Sequence, residues 1–195
     1  METTTIKIQI ILGSIREGRF GDKPAYFVLG EVQKMPGVVA ELVDLRDYPL
    51  PLFHDAVSPS MSGGNYGTEE AKRFAAKIGE ADAYVIVTPE YNHGYPGALK
   101  NALDSIFFEW NNKPVAFVAY GSVGGARSVE QLRQVAIELQ MAPIRFAVHI
   151  PWDLYMTVVK ETAPADPAFF EPLHEKTAGM LQQLFAWAIA LKTLR

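Results

Sequence analysis

The chain has 195 residues, 49% of them hydrophobic and 21% charged, with a formal charge of -4 and no cysteine. That length suits one globular domain, residues 1–195, with a well-buried core. The acidic balance argues against binding nucleic acid or anionic membrane by bulk electrostatics. Without cysteine, disulfides, thiolate metal sites, a redox dithiol and a cysteine nucleophile are excluded, so any redox chemistry requires a bound cofactor.

The first residues carry no basic leader or small-residue cleavage site, and the apolar runs fall short of the roughly 20 residues of a membrane span, so a cytoplasmic protein is expected. Ile6–Leu12 (IKIQIIL) reads as a first strand. A glycine-rich turn, 13–21, leads into a helix with Ala25, Val28, Leu29, Val32 and Met35 on one face. Residues 38–45 form a second strand after the turn signal Pro36-Gly37. Residues 46–67, rich in proline, glycine and serine, form a long loop. Its apolar Leu50, Leu52 and Phe53 predict packing against the domain.

A helix over 68–80 precedes a strand over 83–87, apolar enough to be buried on both faces. Pro89 should end the pairing, leaving 90–95 as a loop at the strand's carboxyl end, and a helix over 97–108 follows Pro96. Pro114–Tyr120 is the fourth strand. A glycine turn, 121–125, then opens a helix with Val129, Leu132, Ala136 and Leu139 on one stripe. A fifth strand over 144–150 is closed by Pro151, and 152–165 reads as irregular. Asp166-Pro167 starts a last helix whose stripe runs Phe170, Leu173, Thr177, Met180, Leu184, Ala188 and Leu191.

Five strands alternating with five helices predict a doubly wound α/β sandwich of three layers. Strand order 2-1-3-4-5 would set the ends of the first, third and fourth strands side by side, at the edge where open α/β sheets bind ligands.

In the first loop Ser14, Arg16 and Arg19 offer a hydroxyl and two guanidinium forks, while Gly13, Gly18 and Gly21 let backbone amides approach an anion at a helix start. The spacing matches neither a Walker loop nor GxGxxG. In the second, Asn92 and the backbone suit the polar edge of a flat heteroaromatic ligand, and Tyr91 and Tyr95 suit its faces. His93 has no carboxylate or serine paired to it in the sequence and is read as a substrate contact, not as an acid or base. The third loop has almost no side chains after Val123, so a planar ring could lie close to its backbone. Gly-x-Ser-x-Gly is absent, and the four histidines lack zinc-site spacing, so no hydrolase or metal site is expected.

The segments GSIREGRFGDK, DLRDYPLPLF, TPEYNHGYPGALKNALD and YGSVGGARSVEQLR together resemble the NAD(P)H-dependent FMN reductases of the flavodoxin-like fold, a group that includes quinone, azo-dye and chromate reductases. The resemblance covers about 7–140. It implies bound FMN, NADPH or NADH as reductant, a flavodoxin-like sheet and a homodimer or tetramer. By the same resemblance Ser14, Arg16, Arg19, Phe20 and Gly21 match the family's phosphate loop, where Gly18, Arg19 and Phe20 replace the serine or threonine and asparagine of many members. Pro89, Glu90, Tyr91 and Asn92 match its isoalloxazine loop, and Ser122, Gly124 and Gly125 the loop across the ring.

The expected activity is electron transfer from NAD(P)H through FMN to a small acceptor such as a quinone, azo compound or free flavin, with no catalytic acid or base. The alternatives are a flavodoxin-like electron carrier and a regulatory protein that keeps the fold without the chemistry. Phe107, Phe108 and Trp110 exceed what one sheet-facing stripe uses, which predicts a homodimer that buries the surplus.

Overall fold

Runs of isoleucine, valine and alanine pair into five parallel strands in the computed structural model, which describes residues 5–161 and 166–195. They are β1 (Ile6–Leu12), β2 (Val38–Asp44), β3 (Ala83–Pro89), β4 (Pro114–Tyr120) and β5 (Ala142–Ile150). Their order is β2-β1-β3-β4-β5, the flavodoxin-like arrangement that the sequence predicts. Every residue of β3 and β4 is buried, because both faces of the central sheet are covered. Among the described residues no helix is long and apolar enough to cross a membrane.

Helices α1 (Asp22–Gln33) and α6 (His174–Lys192) cover one face, where Val28 and Leu184 pack with Ile10, Val85 and Val118. Helices α2 (Glu69–Gly79), α3 (Gly97–Asp104) and α4 (Ala126–Glu138) cover the other, with Phe74, Leu103 and Leu132 against Ile86 and Phe117. The core is thus two apolar clusters divided by one sheet. Burying a leucine or phenylalanine in either contributes about 1.5–3 kcal/mol.

Several boundaries differ from the sequence reading. Trp152–Val158 forms a further helix, α5, where 152–161 was expected to be irregular; 162–165 lie outside the described residues. Two turns are too short to show a hydrophobic period, but Pro151 starts the helix and Val158 anchors it in the core. The helix expected over 97–108 stops at Asp104, and Phe108–Trp110 is a 3-10 turn. Trp110 is 1% exposed, its indole 5.0 Å from the Tyr84 ring, so it belongs to the core and not to a surplus. Phe108 does stand 42% exposed. The last helix opens with a 3-10 segment, Pro167–Leu173, capped by the Asp166 carboxylate, and α6 follows at His174.

β3 runs on through Thr88 and Pro89, the latter in register with Tyr120. β5 begins at Ala142, two residues before the predicted start, and bulges where its register against β4 shifts between Val115 and Phe117. At this bulge Arg133 of α4 donates to the Ile144 and Arg145 carbonyls at 2.5 and 2.8 Å, and the Phe146 amide donates to the Gln183 side chain of α6.

The long loop is pinned mainly by polar contacts. Asn101 of α3 donates to the Pro51 carbonyl at 2.8 Å and accepts from the Phe53 amide at 2.9 Å. Leu50 packs on the domain as expected, whereas Leu52 is 82% exposed and Phe53 38%.

Candidate functional site

The ends of β1, β3 and β4 bring the three candidate loops to one edge of the sheet. The Gly13 amide donates to Val87 at 2.9 Å, and the Glu90 amide to Tyr120 at 2.8 Å. Ser14 Oγ lies 3.0 Å from the Tyr91 hydroxyl, joining the first loop to the second. Glu90 and Pro89 join the second loop to the start of α4, just past the third: the Glu90 carboxylate accepts from the Arg127 amide and from the Arg127 guanidinium, and Ser128 Oγ donates to the Pro89 carbonyl at 3.0 Å.

In the first loop the carbonyls of Ser14, Ile15 and Arg16 all face arginine side chains. Arg19 Nη1 donates to Ser14 O at 2.6 Å, Arg46 Nε to Ile15 O at 3.3 Å, and Arg46 Nη2 to Arg16 O. Among the described residues the amides of Ile15, Glu17, Gly18, Phe20 and Gly21 have no protein acceptor. They precede α1, whose N-cap Gly21 offers no side chain, so the positive end of the helix dipole is uncapped there. The Arg16 side chain is exposed, its guanidinium 6.0 Å from the centre of the Tyr91 ring.

Arg19 and Phe20 are placed differently from expectation. The Arg19 guanidinium is buried and held by Asp22 Oδ1 at 2.6 Å, by both carboxylate oxygens of Asp44 and by Ser14 O, so the fork expected to face an oxyanion faces protein groups. Burial by itself would raise the Asp44 carboxyl, but the Arg19 ion pair and the Arg46 amide hold it below the usual range. The Phe20 ring turns inward between Tyr120 and Tyr155, at 4.9 and 4.6 Å, leaving only its backbone for a ligand.

The second loop is a tight turn. Tyr91 and Gly94 exchange backbone hydrogen bonds at 2.8 and 3.1 Å, and Asn92 and His93 between them take φ of 51° and 69°, as a type I′ turn requires. Both side chains point to solvent, and Gln131 of α4 donates to the His93 carbonyl. Tyr95 is half-buried, which pushes its hydroxyl above the usual value.

The glycines of the third loop are required by the chain's own packing. A Cβ at Gly125, where φ is +71°, would lie 2.6 Å from Ala119 Cβ; one at Gly121 would meet Glu90 Cβ at 3.0 Å, and one at Gly124 His149 Cβ at 3.1 Å. Ser122 and Val123 remain exposed at the tip.

Asp44, Arg46, Arg127 and Tyr120 escaped the sequence reading. Tyr120 Oη is buried without a partner and sits 2.9 Å from where a Gly21 side chain would start. The signals in the sequence are the DLRD segment, which closes β2 with an acid and places an arginine two residues on, and YGSVGGAR, which carries Tyr120 and Arg127. A hollow of about 390 Å³ opens on the β2 side of the first loop, between Ile15, Arg46, Tyr48 and Asn101.

A sequence profile of the NADPH-dependent FMN reductase family matches residues 6–152. An NAD(P)H-dependent FMN reductase of Schizosaccharomyces pombe is 40% identical over 188 residues, covering 93% of this chain and 91% of that protein. A quinone reductase of Escherichia coli K12 is 37% identical over 141 residues, covering 68% and 71%. Among solved structures, the flavoenzyme NAD(P)H:(acceptor) oxidoreductase FerB of Paracoccus denitrificans superposes with a TM-score of 0.65 over 97% of this chain and 98% of that one, at 23% identity.

Proposed function

The chain belongs to the NADPH-dependent FMN reductase family and is an oxidoreductase; on that premise we propose that it binds FMN and uses NADPH or NADH to reduce a small acceptor, such as a quinone, an azo compound or free flavin. FMN, when bound, supplies the hydride and electron chemistry, which no side chain of a cysteine-free chain replaces. The observation that carries this reading is the meeting of three loops at one sheet edge, tied by Ser14 with Tyr91, by the Glu90 amide with Tyr120 where the third loop begins, and by Glu90 with Arg127 just past it.

The residues present fit that cofactor. An uncapped helix start with free amides, an exposed Arg16 and the Ser14 hydroxyl suits a phosphate, and the unpartnered Tyr120 hydroxyl lies beside it. Pro89, Glu90, Tyr91 and Asn92 would line the edge of the flat ring, with the Asn92 amide, which has no protein acceptor among the described residues, free to bond it, and Ser122, Gly124 and Gly125 would border it. His93 and Tyr95 would meet the acceptor. No side chain is assigned a proton-transfer role.

The protein acts in the cytoplasm as a homodimer or tetramer in this reading. Leu52 at 82% and Met61 at 80% exposure, with Phe108, give a second copy apolar surface to cover.

Reconstitution with excess FMN followed by desalting should leave about one flavin per chain by its visible absorbance. The holoprotein should then oxidise NADPH or NADH only when a quinone, azo compound or free flavin is supplied. A colourless protein after reconstitution, or flavin bound without nucleotide oxidation, overturns the assignment.

A further inference from the structure

We propose that Arg19, Asp44 and Arg46 are positioning residues for the phosphate end of FMN: they hold the carbonyls of 14–16 on one side of the first loop and so aim its amides at the cofactor, without touching it. This rests on the FMN reading above.

In a trans peptide the C=O and the following N–H point in opposite directions. With the Ser14, Ile15 and Arg16 carbonyls bound to Arg19 and Arg46, the amides of Ile15 and Glu17 must face away from both arginines. Those amides, like those of Gly18, Phe20 and Gly21, have no protein acceptor among the described residues. Gly18, at φ +60°, continues the turn with nothing near its missing side chain. Successive amides on one side of a turn form an anion-binding concavity.

Asp44 couples the two arginines. Its carboxylate pairs with Arg19, and the same side chain accepts from the Arg46 amide at 2.9 Å as N-cap of the 3-10 turn Leu45–Asp47. The end of β2 thereby braces the loop that follows β1. Arg19 with Asp22 and Asp44 is a net negative cluster, so its contribution to phosphate binding is geometric and not an attraction of charge.

The direction of one substitution separates this arrangement from direct contact. If Arg19 touched the phosphate, D44N would free its guanidinium and leave FMN binding unchanged or tighter. As a brace, D44N should weaken FMN about tenfold while riboflavin, which lacks the phosphate, changes far less. R46K leaves the buried ion pair intact and guards against a folding defect in D44N. It keeps the charge but cannot span two carbonyls, so it should also weaken FMN and spare riboflavin. Flavin fluorescence titrations with both ligands read all of this. Wild-type protein that binds no FMN removes the functional reading itself. Wild-type binding, with D44N and R46K matching it, removes only the brace.

Discussion

Glu90 and Arg127 hold each other twice: Glu90 Oε2 accepts from the Arg127 amide at 3.1 Å, and Oε1 from its guanidinium at 2.6 Å. One carboxylate, its side chain 4% exposed, thus caps the start of α4 from another loop while pairing with a charge. Glu90→Ala would leave that amide without its acceptor and should cost about 1–3 kcal/mol, read from urea unfolding midpoints. Glu90→Gln keeps an acceptor for the amide and should cost less. Equal losses would mean that the cap contributes nothing.

Arg16 presents the exposed guanidinium of the first loop. Arg16→Ala should weaken FMN by about 10- to 100-fold and riboflavin little, since a hydrogen bond to a charged group contributes about 1.5–3 kcal/mol. Parallel losses for the two flavins would place Arg16 away from the phosphate.

Gly18 and Gly125 share a left-handed backbone but not their surroundings. Nothing lies within 4 Å of a Cβ built at Gly18, whereas one at Gly125 lies 2.6 Å from Ala119 Cβ. Gly18→Ala should cost about 1–2 kcal/mol of backbone strain, and Gly125→Ala distinctly more. Thermal midpoints of the two variants test the order.

Lys113 is buried, with Nζ donating to the Ile78 and Gly79 carbonyls at the end of α2 and to the Tyr84 hydroxyl. Burial, aided by the nearby Arg195 charge, pushes its ammonium down to about 8 from 10.5. The unfolded chain therefore keeps this proton to higher pH than the folded one, and the penalty for burying the charge is full below about 8. Stability relative to Lys113→Met should rise between pH 8 and 10.5, by at most about 3 kcal/mol. A flat difference across that range would refute the shift.

Leu52 and Met61 stand out from the long loop. Leu52→Asp with Met61→Asp should turn an oligomer into monomers by light scattering. Wild-type protein that is already monomeric at micromolar concentration excludes the assembly.

The sheet was legible because its central strands are uninterrupted apolar runs and because the stripe 129, 132, 136, 139 has only one helical face to occupy. Short elements were not: the two turns of α5 are set by Pro151 and by packing rather than by period. Trp110 looked like surplus because its enclosure by Phe74 and Tyr84 is tertiary. Arg19 shows the same limit at the site. Residue type and spacing marked a cation near a phosphate loop, but only the chain's return at Asp44 decides what that cation faces.

A parallel sheet left open at its ends can be extended by any strand that finds free main-chain groups. At the β5 end Arg133 occupies two successive carbonyls and Gln183 takes the Phe146 amide, all within the bulge. An incoming strand would meet side chains where it needs a ladder, and on a backbone kinked out of register. Extension of the sheet is blocked along this border, so a partner that meets the molecule at β5 must be read by side-chain surfaces, which can discriminate in a way that a bare backbone edge cannot.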